Sequence, residues 1–456
     1  MKLNIVNGYV VTMNAAREVF DGGFVSVGDD GKIEAVGPAS AAPTDPAIPL
    51  IDAKGMIVLP GLVDACHSHW HNLMMGLDPA GQAPEPRQLR EFAARFVDDD
   101  TLAASATVAA QTLLRGGTTC VMNAVPDDRN EAGLLATVDA MRRVGLRQVQ
   151  ALRFSASHRP DEETERLAAL TQKLHLSDEG RVRIAIEVST SAHATFLGFA
   201  KESATTAATR LAEAHDLRVL TRSSAADGAR FDSLERATQH LGRSDVLHLM
   251  ELGALDSRWT IVGAEFFSPA DVSLAIESGC AAVCTPMASS WRGLPLGPWP
   301  ELLRGGVPCA LGSDLSTEVS SVDTIEQMKS CLLLNNAVRL DPTAMSAERV
   351  LEMATIYGAH AMGLAQEIGS LEAGKRADIS VFDLRGVHAA AFHKPISVFV
   401  TCASATDAAL VLVDGRVRVK TGFPFLTMAS EPNALPPLAE ARHLHHLWNA
   451  SSAMGA

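Results

Sequence analysis

The stretch VDACHSHWHN, Val63 to Asn72, carries three histidines at alternating positions, His67, His69 and His71. Imidazole nitrogens are common zinc and iron ligands, and a metal-bound water becomes a nucleophile near neutral pH, so the spacing poses metal-assisted hydrolysis as the first chemistry to test. The bland alternative for His67 and His69 is a pair of packed, hydrogen-bonded rings beneath a loop, whereas His71 could act as a neutral general acid or base. Trp70 in the same stretch and Trp291 in SSWRGLP are candidates to line a pocket and stack on a flat or apolar substrate, or simply to pack their loops. Ser289 and Ser290 either hydrogen-bond that substrate or shape the turn. Cys66 could be a nucleophile if activated, but no partner for it is visible, and a buried inert thiol is the plainer reading.

The elements that must position these residues belong to a chain of 456 residues, long enough for one large α/β domain and a smaller one. Its 39 Lys and Arg against 53 Asp and Glu leave a formal charge of -14, which argues against nucleic acid and for a small-molecule substrate. The opening MKLNIVNGYVVTMN lacks a basic start with an apolar core behind it, and no window approaches ~18 apolar residues, so neither a signal peptide nor a membrane span is expected and the chain reads as cytoplasmic. Its seven cysteines include no C-x-x-C pair, as expected of reduced thiols.

Short β-like runs fill residues 1–58, with GDDGK marking a hairpin, and return in RADISVFDL and ALVLVDGRVRVKTG around Asp414-Gly415. Between them, helix-length segments ending at glycine alternate with short apolar runs, the pattern of a parallel sheet covered by helices. Eight strands fit between about 60 and 315, which favours a barrel. The expected division is 1–58 and 371–425 as two parts of one β-sandwich, 59–370 as the barrel, and 426–456 as a helical tail with His443, His445 and His446.

LPGLVD, RGGTTCVMN, LRFSAS, PELLRGGVPCALGSD, MATIYGAHAMGL and GSLEAGKRADISVFDL together resemble the amidohydrolase superfamily, in its cytosine-deaminase and chlorohydrolase-like branch, over nearly the whole chain. The resemblance implies an α/β fold: a (β/α)8 TIM-like barrel with a small β-sandwich domain built from both termini. It also implies a metal site at the C-terminal mouth, with D-x-H-x-H ending the first strand, further histidines after strands five and six, and an aspartate after strand eight. Laid on that pattern without gaps, the metal positions fall on Cys66, Ser68, Arg222, Glu265 and Asp314, and the family's acid-base glutamate on Ala225. His67 and His69 then fall one residue late and face away, unless a bulge restores them. An arginine cannot ligate a cation.

The expectation drawn from this pattern is an enzyme without a cofactor, in which Arg222 supplies the positive charge of a lost ion. Glu265, Asp314 and His71 would move protons, while Arg222, Trp70, Ser289, Ser290 and Trp291 would hold a small nitrogen-containing molecule. Its reaction would be elimination, dehydration, isomerisation or cyclisation, or a slower metal-free hydrolysis. Two alternatives stand beside it. One is a metal-dependent hydrolase or deaminase of non-peptide C–N bonds, with Zn or Fe held by a rearranged set of His67, His69 and Asp314. The other is a non-catalytic relative that binds a ligand. Glu265 and Asp314 could also simply brace Arg222, and a homodimer is compatible with the composition.

Overall fold

The computed structural model describes residues 2–74, 92, 95–124, 131–154, 159–188, 202–223, 244–314, 321–389, 393–420, 423–424 and 447. Strands β1 (Leu3–Val11), β2 (Val19–Val27), β3 (Ile33–Gly37), β4 (Leu50–Asp52) and β5 (Met56–Pro60) come from the start of the chain. The barrel strands follow: β6 (Leu62–His67), β7 (Thr118–Ala124), β8 (Arg147–Arg153), β9 (Val182–Glu187), β10 (Arg218–Arg222), β11 (Trp259–Val262), β12 (Ala281–Cys284) and β13 (Cys309–Leu311). Strands β14 (Ile379–Asp383), β15 (Ala408–Val413), β16 (Arg416–Lys420) and β17 (Phe423–Pro424) return near the end.

Pairing makes the two ends one body. β14 runs antiparallel to β5 in the register Ile379↔Pro60 through Asp383↔Met56, so a strand from beyond the barrel completes the sheet begun before it. The β2–β3 and β15–β16 hairpins turn where GDDGK and Asp414-Gly415 lie. Arg147 in β8 is buried and ties this β-domain to the barrel, donating from Nε to Asp378 Oδ2 at 2.8 Å and from Nη2 to Asp414 Oδ1 at 2.8 Å. The molecule is thus a (β/α)8 barrel with a small β-domain assembled from both termini.

β6 to β13 form one sheet in sequential order, every pair parallel. Such strands are covered on both faces, and β6, β7, β11 and β12 are buried along their entire length. The sheet closes where Asp314 N donates to Cys66 O at 2.7 Å and Ser68 N donates to Asp314 O at 3.1 Å. Gly312 permits that closure: a Cβ there would lie 2.8 Å from the Cβ of Cys66 and 3.0 Å from its backbone nitrogen. Helices pack outside, among them Asp99–Arg115, whose first turn is capped by the Asp98 side chain accepting from Thr101 N, and Pro269–Ser278, which has a reciprocal capping box between Ser268 and Asp271. Among the described residues no helix is long and apolar enough to cross a membrane. All seven cysteines are free thiols, and only Cys402 is exposed.

Candidate active site at the barrel mouth

Strand alternation decides which side chains enter the mouth. Val149, Ala151, Ala185 and Leu220 pack together inside the barrel, while their neighbours Leu152, Ile184, Ile186 and Val219 pack outward against the helices. Continuing the inward set to the strand ends gives Arg153 on β8, Glu187 on β9 and Arg222 on β10. Cys66, on the inside of β6, and Asp314, just past β13, complete the ring.

These groups form one charged cluster. Arg222 donates from Nη1 to Asp314 Oδ1 at 2.5 Å and from Nη2 to Cys66 Sγ at 3.2 Å, and its Nε lies 3.5 Å from Glu187 Oε1. Arg153 Nη2 reaches the same Glu187 oxygen at 3.2 Å, and Arg292 Nη1 lies 3.5 Å from Asp314 Oδ2. Burial opposes the charge on Arg222, but Asp314, Cys66 and Glu187 outweigh it and hold the guanidinium protonated above its usual range. Burial also pushes the Cys66 thiol well above its ordinary value despite Arg222, so no thiolate nucleophile forms here. Asp314 adopts a left-handed backbone at φ 53°, a conformation that aspartate tolerates better than most residues and that turns its carboxylate into the ring.

The histidines sit behind this ring with their nitrogens occupied. His67 Nδ1 pairs with Ser313 Oγ at 2.8 Å, and its Nε2 with Asn72 Nδ2 at 3.3 Å. His69 Nδ1 pairs with Asn123 Oδ1 at 2.9 Å and its Nε2 with Thr137 Oγ1 at 3.1 Å. Burial lowers His67 to about 3 and His69 to about 4, so both are neutral at ordinary pH. Beside them Asp64 is raised by burial to about 7, against hydrogen bonds from Ser313 and the Cys66 N–H.

Glu265 lies just beyond β11, nine-tenths buried, and accepts from Ser289 Oγ at 2.6 Å through Oε1, while among the described residues Oε2 has no hydrogen-bond partner. Burial pushes its carboxyl above the usual range, with the Ser289 hydrogen bond working the other way. The structure therefore separates the two acids: Asp314 is held by guanidinium groups, Glu265 by a hydroxyl. Ser290 turns back to Pro286 O at 2.6 Å, Trp291 is 54% exposed, and Trp70 is buried in a cluster with Leu73 and Phe92. Ser68 is buried at the closing seam. The His71 side chain, Ala225 and the tail histidines lie outside the described residues. Arg153, Glu187 and Arg292 escaped the sequence reading. For the first two, inward parity carried to the ends of LRQVQALR and VRIAIE was the available signal.

The amidohydrolase family model matches residues 57–418, the full barrel and the strands that flank it. The chain belongs to the amidohydrolase family. It is similar, at 31% identity over 91% of this chain and 92% of the relative, to a protein of Syntrophobacter fumaroxidans named 5-methylthioadenosine/S-adenosylhomocysteine deaminase. It is 33% identical to an S-triazine hydrolase of Gordonia rubripertincta over 45% of this chain and 43% of that one. In fold it matches an adenosine deaminase of Xanthomonas campestris solved with bound zinc, at TM-score 0.85 and 22% identity over 98% of each chain. An atrazine chlorohydrolase of Arthrobacter aurescens complexed with zinc and atraton matches at TM-score 0.83 and 20% identity, over 98% of this chain and 99% of that one.

These relatives correct two expectations. Cofactor-free elimination, dehydration, isomerisation or cyclisation is overturned by the relatives, which carry the names of deaminases and of a triazine hydrolase. The expectation that no cofactor belongs to the fold is corrected by barrels that bind zinc. The sequence argument failed because a substituted motif reports on individual ligands and not on the reaction that the surrounding scaffold serves. The side chains of this amidohydrolase do not, as they stand, fit such an ion. Both imidazoles spend both nitrogens on neutral partners, a permanent cation lies on Asp314, and among the described residues no three His, Cys, Asp or Glu come together as a ligand set.

Proposed function

We propose that the chain hydrolyses a C–N bond in a small nitrogen-containing molecule, as a deaminase of an amino-substituted heterocycle. The observation that carries this reading is the near full-length similarity to a protein named as a 5-methylthioadenosine/S-adenosylhomocysteine deaminase.

Hydrolytic deamination adds water to a ring carbon and expels ammonia, so one proton must leave the attacking water and one must reach the departing nitrogen. Glu265 is the described group suited to that transfer. Its Oε1 is fixed by Ser289, its Oε2 has no hydrogen-bond partner among the described residues, and burial raises its carboxyl so that it can both take and return a proton. Arg222 and Arg292 orient Asp314 and place fixed positive charge beside the negative charge that develops on the attacked ring.

The test is ammonia release from 5-methylthioadenosine, S-adenosylhomocysteine, adenosine and an amino-s-triazine, each with and without added zinc. Release from any one supports the reading. No release from all four, in both conditions, rejects it.

A further inference from the structure

Ion pairs link the barrel to the β-domain where β8 and β9 begin. Arg147 holds Asp378 and Asp414, Arg181 holds Asp178, Glu179 and Asp414, Arg376 reaches Asp414, and Arg416 holds Glu179. A fifth arginine, Arg418 of β16, stands in the same network: among its charged neighbours Arg181 and Arg416 repel it, while Asp178 and Asp414 attract it. Arg418 is 9% exposed and, among the described residues, has neither a hydrogen-bond nor an ion-pair partner. Five guanidinium groups thus meet four carboxylates.

Two local features of the backbone set Arg418 in this position. β16 carries one residue more than β15 between the pairs Val411↔Val419 and Leu412↔Val417, and the extra residue is Arg418, at a bulge that re-aims its side chain. Its guanidinium then lies against Gly145, between the helix Glu131–Val144 and β8, where a Cβ on the glycine would collide with Cζ, Nε and Nη1. The helix end offers it only about half an elementary negative charge, and arginine cannot shed its proton to escape the cost of burial. Its Nε is enclosed, whereas Nη1 and Nη2 reach the surface of the seam. A partner for them can come from solution, and it must be an anion.

We infer that this seam binds a phosphoryl oxyanion, two of its oxygens accepting from Nη1 and Nη2 of Arg418, with Arg416 and Arg181 adding positive charge beside it. The planar fork of a guanidinium matches two oxygens of a tetrahedral anion, a geometry that a halide ion lacks. Glu179 is exposed and stays on Arg181 and Arg416, so the anion displaces no buried pair. The site lies where β8 and β9 start, at the opposite end of those strands from Arg153 and Glu187, and it stands apart from the deaminase reading.

The probes are inorganic phosphate and glycerol 3-phosphate, with chloride as the control, titrated into the full-length protein at constant ionic strength by isothermal titration calorimetry. Saturable phosphate binding, with chloride at least roughly tenfold weaker, is expected, since a charge-assisted hydrogen bond is worth about that factor or more. Glycerol 3-phosphate binding as tightly as phosphate would support an esterified ligand whose remainder stays in solvent, and weaker binding would support the free ion. Arg418→Met strands no carboxylate, so it should melt no lower than the parent and weaken phosphate by roughly tenfold or more. Arg418→Lys keeps the charge and loses the fork, so its affinity should fall between those two. Absence of saturable binding of both phosphoryl probes, chloride binding as tightly as phosphate, or an unchanged phosphate affinity in Arg418→Met, as phosphate held by the arginines of the mouth would give, would each overturn the inference. So would a melting temperature of Arg418→Met well below the parent's, because Arg418 would then have a partner within the fold.

Discussion

Arg222 Nη1 donates to Asp314 Oδ1 at 2.5 Å, joining the end of the fifth barrel strand to the residue that follows the eighth. Both side chains are buried at the mouth, so neither charge has water as an alternative partner. The contact is at once a structural staple across the barrel and the electrostatic centre of the site.

Removing one partner leaves the other charge buried. Arg222→Met is expected to lower stability by about 3 kcal/mol, because it takes the shortest guanidinium contact from Asp314, leaving the longer one to Arg292, and removes one of the two arginines beside Glu187. Adding Asp314→Asn to that variant should recover part of the loss. Urea denaturation of the single and double variants measures the coupling, and strictly additive effects would show that the pair is not energetically joined.

A similar argument applies to Arg147, whose guanidinium is shared by Asp378 and Asp414 across the seam between barrel and β-domain. Arg147→Met takes the guanidinium from buried Asp378, which keeps the Asp414 N–H, and leaves Asp414 with Arg181 and Arg376, and should cost about 3 kcal/mol. Thermal unfolding followed by far-UV circular dichroism checks this. A melting temperature unchanged from the parent would mean that Arg147 does not brace the seam.

Much of this arrangement was legible in the sequence, for reasons that differ by residue. The β-runs at both ends could be assigned to one body because their Val and Ile patterns and the Asp414-Gly415 turn are local signals. Arg222 and Asp314 could be placed at strand ends because the resemblance to the amidohydrolase pattern puts its metal positions after strands five and eight on them. Glu187 was missed because Arg183 breaks the apolar run of its strand and obscures the inward parity of VRIAIE. The fate of His67 was also unreadable: its partners are Asn72, nearby in sequence, and Ser313, 246 positions away, and only the closing of the barrel brings the latter to it. The reaction itself was misjudged, because the substituted positions were visible and the chemistry of the relatives was not.

The buried histidines predict an acid-side loss of stability. His67 and His69 have folded values of about 3 and about 4, below the ordinary 6.5, so the unfolded chain binds more protons than the native one as pH falls below 6.5. Stability conferred by their neutral forms is present above 6.5 and is lost on acidification toward those folded values. Asp64, raised to about 7, works in the opposite sense: its buried ionised form costs stability as pH rises from its unfolded value through about 7. Glu265 and Asp323 are raised by burial as Asp64 is, and His175 and His360 are lowered, so the test is how one substitution changes the slope of stability against pH between 6.5 and 4.5, read from denaturation midpoints. His69→Gln should remove about one proton, or ~1.4 kcal/mol per pH unit, from the acid-side loss. An unchanged slope would mean that His69 titrates normally in the folded protein.

Ser289 tunes Glu265, and removing its hydroxyl tests that directly. The Ser289 hydrogen bond favours the ionised carboxylate, so Ser289→Ala should raise the Glu265 value further. If the ionised form takes the proton from water, the acidic limb of the kcat/KM profile moves to higher pH, with kcat on the plateau reduced far less than in Glu265→Gln. A profile that stays in place would show that Glu265 does not set that limb.

The most direct measurement is enzyme-coupled detection of ammonia from an amino-substituted heterocycle, run in parallel on the parent protein and Glu265→Gln. The account predicts ammonia in step with loss of the substrate's absorbance, slowed by about 10²-fold or more in the variant at unchanged melting temperature. Release at the same rate from both proteins would contradict the role of Glu265, and no release from the parent on any amino-heterocycle, with or without zinc, would contradict C–N hydrolysis altogether.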